Sequence, residues 1–174
     1  MYYSGTQEQW QKISIDTENA PLLNATIHYN AYHKLEAVFS DSDTAKIKGT
    51  SVVAVTQTTV SQLLAQAGSG AYISDKNGKQ VAGDAYPGTG MTLTLSDGKK
   101  YTVVVLGDVD GDGGISAADA SLALRASVGL EKYSEDLCYY KAANVEGMDK
   151  LSASDARLIL RASVGLEDPK AWLK

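Results

Sequence analysis

The chain contains the stretch Asp108-Val109-Asp110-Gly111-Asp112-Gly113-Gly114-Ile115-Ser116-Ala117-Ala118-Asp119. Acidic side chains stand at positions 1, 3, 5 and 12 of this stretch, a glycine stands at position 6 and a serine at position 9. Calcium is a hard cation that takes about six to eight oxygen ligands, and this spacing wraps one segment around one ion. Three aspartates at alternate positions repel one another without a cation. The pattern therefore predicts a calcium-binding loop rather than an acidic surface turn that binds nothing.

Six residues of this loop are the expected calcium ligands: Asp108, Asp110, Asp112, Gly114, Ser116 and Asp119. Gly113 permits the sharp turn that brings the second half of the loop back to the ion. Gly114 offers its backbone carbonyl, Ser116 acts directly or through water, and Asp119 closes the coordination sphere. Ile115 is expected to hold the loop against an apolar core.

Composition limits the classes of partner and compartment. The chain has 174 residues, of which 44% are hydrophobic and 21% charged, enough for one or two small globular domains. The net charge is −5 and no Lys/Arg cluster appears, so neither a nucleic acid nor an anionic membrane is an expected partner. No apolar run approaches the ~20 residues of a membrane span, so we do not expect membrane insertion.

The sequence favours an extracellular location. Residues 1–5 have neither the charged nor the apolar segment of a signal peptide, which predicts either a cytoplasmic protein or a piece of a secreted one. Cys138 is the single cysteine, so an internal disulfide is excluded and the compartment stays open. The aspartate-rich loop favours the outside of the cell, where free calcium is abundant enough to fill weak sites.

Residues 34–106 predict a small β-sheet with one helix. Alternating apolar residues indicate strands at 35–39 and 51–55, and turns at 76–79 and 96–99 indicate two hairpins. Thr58 or Thr59 offers an N-cap for a helix that Gly68 would end. Residues 107–174 read as helical, with helices expected over 116–130, 134–143 (capped by Ser134) and 152–166. The expected fold class is α+β, a β-rich domain followed by an all-α region.

The helical region contains an internal repeat. Residues 116–131 recur at 152–167, and the two copies differ only at Ala118/Ser154, Ser121/Arg157 and Ala123/Ile159. The same offset of 36 carries the calcium loop to residues 144–155. The unit is therefore a duplicated loop followed by one helix.

The second loop is damaged as a calcium site. Met148 stands where the third aspartate should be, and a thioether is a poor calcium ligand. Asp149 replaces the turn glycine and is expected to adopt a left-handed conformation. Whether this loop holds calcium stays open. Its tentative ligands are Asn144, Glu146, Lys150 through its carbonyl, Ser152 and Asp155.

The first loop also departs from the calcium sensors. It follows a β-branched run at 101–106, which reads as a strand, so the helix that enters a full EF-hand is missing. Position 12 is aspartate in both repeats instead of the glutamate of sensors. A sensor that opens an apolar groove on binding calcium therefore fits poorly.

Residues 107–166, with two calcium-loop–helix (F-hand) motifs, resemble a dockerin, and the endings at 125–130 and 161–166 are similar to those of ruminococcal dockerins. This resemblance implies a non-catalytic, calcium-folded module that binds a cohesin module of a scaffoldin, in a cellulosome or a related starch-degrading complex (amylosome). It implies an extracellular or cell-surface protein, monomeric without its partner, that anchors a polysaccharide-degrading or substrate-binding protein.

Two weaker likenesses cover the rest of the chain. Residues 34–106 resemble the X modules that precede some dockerins. The segments 2–6, 13–15 and 24–30, with Trp10 between them, resemble the closing repeat of a bacterial leucine-rich-repeat domain and imply a solenoid upstream. The expected domains are therefore 1–33, 34–106 and 107–174.

The dockerin resemblance also implies a cohesin-binding face on the two repeated helices. Small residues at the start of each helix would allow close approach, and an arginine farther on would pair with carboxylates of the partner. Packing between the helices is the alternative for the leucines, and a solvated face for the arginines. The near identity of the repeats would allow two binding orientations. The implied residues are Ala117, Ala118, Leu122, Arg125, Ala153, Ser154, Leu158 and Arg161.

Two other functions are weighed against this one. A carbohydrate-binding surface would use Tyr72, Tyr86 and Tyr101 as a platform. A hydrolase fragment would need paired carboxylates such as Asp41 and Asp43, which lie in an expected turn, so we do not expect an enzyme. The sequence leaves open whether the C-terminal tail folds back, with Pro169 or Trp172 stacked near the start of the first loop.

Overall fold

A computed structural model describes residues 10–13, 45–54, 56–133 and 137–173. These residues form five strands and four α-helices, which agrees with the expected α+β class. The strands are β1 (Ala45–Lys48), β2 (Ser51–Ala54), β3 (Tyr72–Ser74), β4 (Thr92–Thr94) and β5 (Lys100–Val105). The helices are α1 (Val60–Ala67), α2 (Ala117–Ser127), α3 (Cys138–Ala143) and α4 (Ala153–Ser163), followed by a 3-10 helix at Pro169–Trp172.

The five strands form one sheet in the order β1-β2-β5-β4-β3. Strands β2 and β5 run parallel, with Val52 opposite Val103, and the other neighbours are antiparallel. The predicted hairpin of β4 and β5 is confirmed. The hairpin predicted around residues 76–79 is reduced to a single bridge between Ser74 and Gln80, and β3 pairs with β4 along its other edge.

Both faces of the central strands are buried. Val52, Val103 and Val105 point toward α1, whose Val60 and Leu63 are fully buried beneath them. The alternate residues Val53, Val104 and Leu106 belong to the core of the helical region. Successive side chains of a strand point to opposite faces, so one strand serves two cores. The expected boundary between residues 106 and 107 therefore separates two regions that pack on opposite faces of the same sheet.

Local signals set the ends of α1 as predicted. The Gln62 N–H donates to Thr59 Oγ1 at 3.3 Å and the Thr59 N–H donates to Gln62 Oε1 at 2.7 Å, which completes a capping box. Gly68, at a φ of 94°, ends the helix. Strand β1 was not predicted from the sequence. The strand expected at 35–39 and most of the leucine-rich-repeat-like segment lie outside the described residues.

The helical region keeps the symmetry of its sequence. Helices α2 and α4 begin after Ser116 and Ser152, and each serine forms a capping box with the aspartate three residues later. Helix α3 is shorter than predicted, since it begins at Cys138 after Leu137, which offers no side-chain cap. The expected cap Ser134 lies outside the described residues.

The tail folds back onto the start of the first loop. Trp172 is 6% exposed and belongs to the same apolar core as α2 and α4. The Cζ3 edge of its indole lies against Gly107, where an added methyl group would be 3.0 Å away. Of the two residues considered for this contact, Trp172 makes it. No described helix has both the length and the apolar content needed to span a membrane.

Candidate metal centre

The first aspartate of the loop, Asp108, follows the end of β5 and its side chain is buried. The carboxylates of Asp108, Asp110 and Asp112 each offer an oxygen, and these three atoms lie within 4.8 Å of one another. Asp108 is fully buried, whereas Asp110 and Asp112 are exposed. The side chains at positions 1, 3 and 5 of the predicted loop are therefore brought together in a cluster that is buried on one side and open to solvent on the other.

Backbone donors hold these carboxylates in place. The Gly111 N–H donates to Asp108 Oδ1 at 2.9 Å, the Asp112 N–H donates to Asp110 Oδ1 at 3.1 Å, and the Gly114 N–H donates to Asp112 Oδ1 at 2.8 Å. Gly113 has a φ of 92°, a backbone conformation that favours glycine, as the sequence predicts. The backbone of the loop thus curves around the side chains of its own aspartates and donates hydrogen bonds to them.

Asp119 lies close by but outside the cluster of three. Its Oδ1 accepts from the N–H groups of Val109 at 2.7 Å and Asp110 at 3.1 Å. Its Oδ2 accepts from the backbone N–H and the hydroxyl of Ser116, both at 2.8 Å. The fully buried Asp119 therefore ties the start of the loop to the start of α2. Its role as a ligand stays a prediction, as do those of Gly114 and Ser116.

A segment of the β-rich region clamps the first loop. The Thr89 N–H donates to Asp108 Oδ2 at 2.7 Å, across a separation of nineteen residues. The Thr89 hydroxyl accepts from the Val105 N–H at 3.0 Å and donates to the Val105 carbonyl at 3.2 Å. Beside it, Gly88 lies so close to Gly111 that a Cβ would overlap the Gly111 carbonyl oxygen. Neither Gly88 nor Thr89 was among the expected functional residues.

Burial sets the electrostatics of the cluster. Desolvation raises the pKa of the Asp108 carboxyl to about 6, although hydrogen bonds from Thr89, Gly113 and Gly111 act to lower it. Desolvation also raises the pKa of Asp110, and the charges of Asp119 and Asp112 add to this shift. Three carboxylates held together by backbone geometry are a site where a bound cation removes mutual repulsion.

The raised pKa of Asp108 predicts that any binding of calcium to this cluster depends on pH. The folded-state pKa of about 6 exceeds the ordinary value of 3.8, so this group contributes stability to the metal-free fold below pH 3.8 and loses it as pH rises through about 6. A calcium ligand must be ionised, so we expect affinity to fall by up to ~10-fold per pH unit below about pH 6. Calcium titrations at about pH 7 and about pH 5 measure this change. Equal affinities at the two values would contradict it.

The second loop is closed by its own hydrogen bonds. Asn144 Nδ2 donates to the Met148 carbonyl at 2.6 Å, and the Ser154 hydroxyl donates to Glu146 Oε1 at 3.0 Å. Asp155 is fully buried and accepts from the Glu146 N–H at 2.9 Å and from Ser152. Lys150 is exposed. Within the described ranges, the second loop brings together no group of three acidic, histidine or cysteine ligands.

The conformation expected of Asp149 is wrong. Among the described non-glycine residues, only Gln57 has a positive φ. The left-handed residue of the second loop is Gly147, with a φ of 67°, which corresponds in the repeat to Gly111 rather than to Gly113. The loop keeps one of the two glycine turns of the first copy, so Asp149 is spared the strain of a left-handed backbone.

The residues of the implied partner face fall into two groups. Ala117, Ala118 and Ala153 are exposed at the helix starts, whereas Ser154 is half-buried and bonded to Glu146. Leu122 and Leu158 are half-buried and pack on the core of the helical region, so their side chains serve packing between elements at least in part.

The two arginines are exposed but already paired within their own repeats. Arg125 Nη2 lies 2.8 Å from Glu131 Oε1, and Arg161 Nε lies 3.3 Å from Glu167 Oε2. Exposed pairs of this kind contribute only ~0–1 kcal/mol, so they can be exchanged for another partner.

The ends of the repeated helices also expose apolar side chains that were not singled out from the sequence. Each copy presents two leucines and a valine to solvent, with exposed fractions between 46% and 70%. They are Leu124, Val128 and Leu130 in the first copy and Leu160, Val164 and Leu166 in the second. All three positions are identical in the two copies, whereas seven of the twelve loop positions differ.

The tyrosine platform considered for carbohydrate binding is not formed. Tyr101 is 4% exposed and lies in the core beside α1, with the Lys99 ammonium 5.0 Å from its ring centre. Tyr72 and Tyr86 are exposed, but a sugar cannot stack on a buried third ring. The carboxylate pair considered for a hydrolase, Asp41 and Asp43, lies outside the described residues.

Comparisons of the chain with protein-family models, with curated proteins and with solved structures found no match. The resemblance to dockerins therefore rests on the sequence motifs alone.

Proposed function

We propose that residues 107–173 act as a calcium-dependent dockerin that binds a cohesin module of a scaffoldin. In this role the chain anchors an extracellular polysaccharide-degrading or substrate-binding protein into a multiprotein complex and has no catalytic activity of its own. The observation that carries the proposal is the convergence of Asp108, Asp110 and Asp112 within 4.8 Å at the head of a duplicated loop–helix unit.

The donor set suits calcium. Three carboxylates supply hard, negatively charged oxygens, and the loop continues to Gly114 and Ser116, which can add a carbonyl and a hydroxyl. Calcium bound here would neutralise the cluster and fix the loop. Asp119 joins that loop to α2 through the four hydrogen bonds described above, so a rigid loop also fixes the first turn of the helix.

One calcium ion per chain follows from the difference between the loops. Among the described residues, three acidic side chains converge in the first loop but not in the second. In the second loop Glu146 accepts from the Ser154 hydroxyl and the Asn144 side-chain N–H donates to the Met148 carbonyl. The buried Asp155 repeats the closing role of Asp119. The second copy is on this view a loop that folds without metal.

The partner face on α2 and α4 combines three kinds of side chain. Exposed alanines at the helix starts allow a flat partner to approach, and the two arginines offer charge at the far end of each helix. The exposed leucines and valines of the helix ends supply apolar area of the kind found at interaction sites. Because both copies carry one alanine, one arginine, two exposed leucines and one exposed valine at matching positions, a partner could be held in either of two related orientations.

Calorimetry tests the proposal. It measures whether the full chain binds each of a panel of purified cohesin modules, once with calcium and once with a chelator. We expect one or more cohesins to bind with calcium and none with the chelator. Ala117→Arg alone or Ala153→Arg alone should block one binding orientation and leave the other usable. The double variant should abolish binding. Failure of every cohesin in the panel to bind the calcium-loaded chain would count against a dockerin, and binding that survives chelation would count against the calcium dependence.

A further inference from the structure

The turn after β3 contains the single Asn-Gly step of the chain, Asn77-Gly78. Both residues are exposed, and nothing lies within 4 Å of the position that a Cβ on Gly78 would take. Gly78 has a φ of 81°, a left-handed conformation that glycine adopts without steric cost. No side chain therefore shields the peptide nitrogen of Gly78 on that side.

The side-chain amide of Asn77 is not held in place. It makes no hydrogen bond to any residue that the structure describes, and the Asn77 backbone N–H donates to Asp75 Oδ1 at 2.8 Å. The same oxygen of Asp75 accepts from the Lys79 N–H at 2.9 Å. The side chain that supports this turn is thus Asp75, and the Asn77 carboxamide can rotate without breaking a hydrogen bond.

Two backbone hydrogen bonds close the turn. The Gly78 N–H donates to the Asp75 carbonyl at 3.0 Å, and the Asp75 N–H donates to the Lys79 carbonyl at 2.9 Å. The Gly78 nitrogen must leave the first of these bonds before it can react with another group. Strand β3 pairs with β4 along its other edge, so the turn can open locally while the sheet stays intact.

We propose that Asn77 is a site of spontaneous deamidation. The Gly78 nitrogen loses its proton and attacks Cγ of Asn77, an N–C bond forms, and the side-chain amide leaves with a proton as ammonia. Water then opens the resulting five-membered succinimide at either of its two carbonyls. One product is aspartate and the other is isoaspartate, in which the main chain runs through the former side chain. Water is the co-reactant, and no group is oxidised or reduced.

The turn between β4 and β5 shows that an aspartate fits at this position. Its Gly98 N–H donates to the Leu95 carbonyl and its Leu95 N–H donates to the Lys99 carbonyl, each at 2.9 Å, as in the first turn. Gly98 has a φ of 84°, and the residue before it, which corresponds to Asn77, is Asp97. The aspartyl product therefore keeps the turn and adds one negative charge.

The isoaspartyl product does not fit in the same way. It places one additional methylene in the main chain between Asp75 and Lys79, so the two closing hydrogen bonds cannot both be kept. Neither product changes the metal cluster, because no residue of this turn belongs to it. The inference is therefore independent of the proposed dockerin function, and calcium can be kept saturating throughout the test.

Peptide mapping by mass spectrometry of the full chain, incubated in mildly alkaline buffer, tests the proposal. We expect the peptide that contains Asn77 to gain about 1 Da and to separate into an aspartyl and an isoaspartyl form. Asn77→Asp supplies the standard for the first form and should keep the calcium affinity of the unmodified chain. Incubation in urea should speed the conversion, because unfolding frees the Gly78 nitrogen from the Asp75 carbonyl.

Asn144 is the internal control. Its Nδ2 donates to the Met148 carbonyl and the β-branched Val145 follows it, so in the folded chain it should convert at least ~10-fold more slowly than Asn77. In Asn77→Gln the longer side chain cannot form the five-membered ring, and the gain in mass should disappear. The proposal is overturned if the Asn77 peptide of the folded chain keeps its mass while the urea-treated chain converts, if Asn144 converts as fast, or if Asn77→Gln gains the same mass.

Discussion

Replacing Asp110 and Asp112 together by asparagine should lower calcium affinity by on the order of 100-fold or more, because two of the three converging carboxylates lose their charge. Both side chains are exposed, and asparagine keeps the oxygen that accepts from the Asp112 and Gly114 N–H groups. The metal-free fold should therefore survive the change. Calorimetric titration of calcium into chelator-treated protein measures the loss and should give a stoichiometry of one for the unmodified chain.

Glu146→Gln is the matched control in the second loop, where Glu146 occupies the position of Asp110. Glutamine keeps an oxygen for the Ser154 hydroxyl, so folding should be unaffected. Calcium affinity should change by less than about twofold, since this loop holds no cation in the proposed mechanism. A stoichiometry of two, or a loss of affinity in Glu146→Gln comparable to that of the double variant, would show that both loops bind calcium.

Gly88→Ala should destabilise the fold by about 2–3 kcal/mol and weaken calcium binding at the same time. The added methyl group would overlap the Gly111 carbonyl oxygen, so the segment holding Thr89 must move away from the loop. That movement lengthens the hydrogen bond from the Thr89 N–H to the buried Asp108 carboxylate. Urea denaturation with and without calcium, together with a calcium titration, measures both effects.

Gly78→Ala separates this steric effect from ordinary glycine replacement. Gly78 has a φ of 81° in the turn before Gln80, and nothing lies within 4 Å of the position of an added Cβ. Only backbone strain of about 1 kcal/mol is expected, with no change in calcium affinity. If Gly88→Ala proves no more costly than this control, or if it leaves calcium binding intact, the clamp between the β-rich region and the loop has no role in holding the site.

Features set by neighbouring residues were predictable from the sequence. The cap at Thr59, the turn at Gly113 and the helices after each loop follow from interactions within three or four residues along the chain. The repeat extends these local predictions to a second part of the chain, because the structure of one copy predicts that of the other. The spacing of the aspartates predicted their convergence for the same local reason.

Features that depend on distant pairing were not predictable. Strand β3 forms a single bridge across the turn that follows it, whereas three of its residues pair with β4, in a register that only the whole sheet decides. The bond from Thr89 to Asp108 joins two segments nineteen residues apart, and a Gly-Thr-Gly sequence by itself indicates only a turn. Asp149 was misjudged because residues were matched by position in the repeat, whereas the second loop follows its own backbone path.

The packing of Trp172 against Gly107 has a practical consequence for moving this module between proteins. The helical segment starts and finishes at neighbouring points, since an added methyl group on Gly107 would be 3.0 Å from the indole. A segment whose ends meet can be inserted into a surface loop of another protein, or circularly permuted, without forcing its host apart. Such a transplant would need substitutes for Val53, Val104 and Leu106, because the native sheet supplies that face of the core.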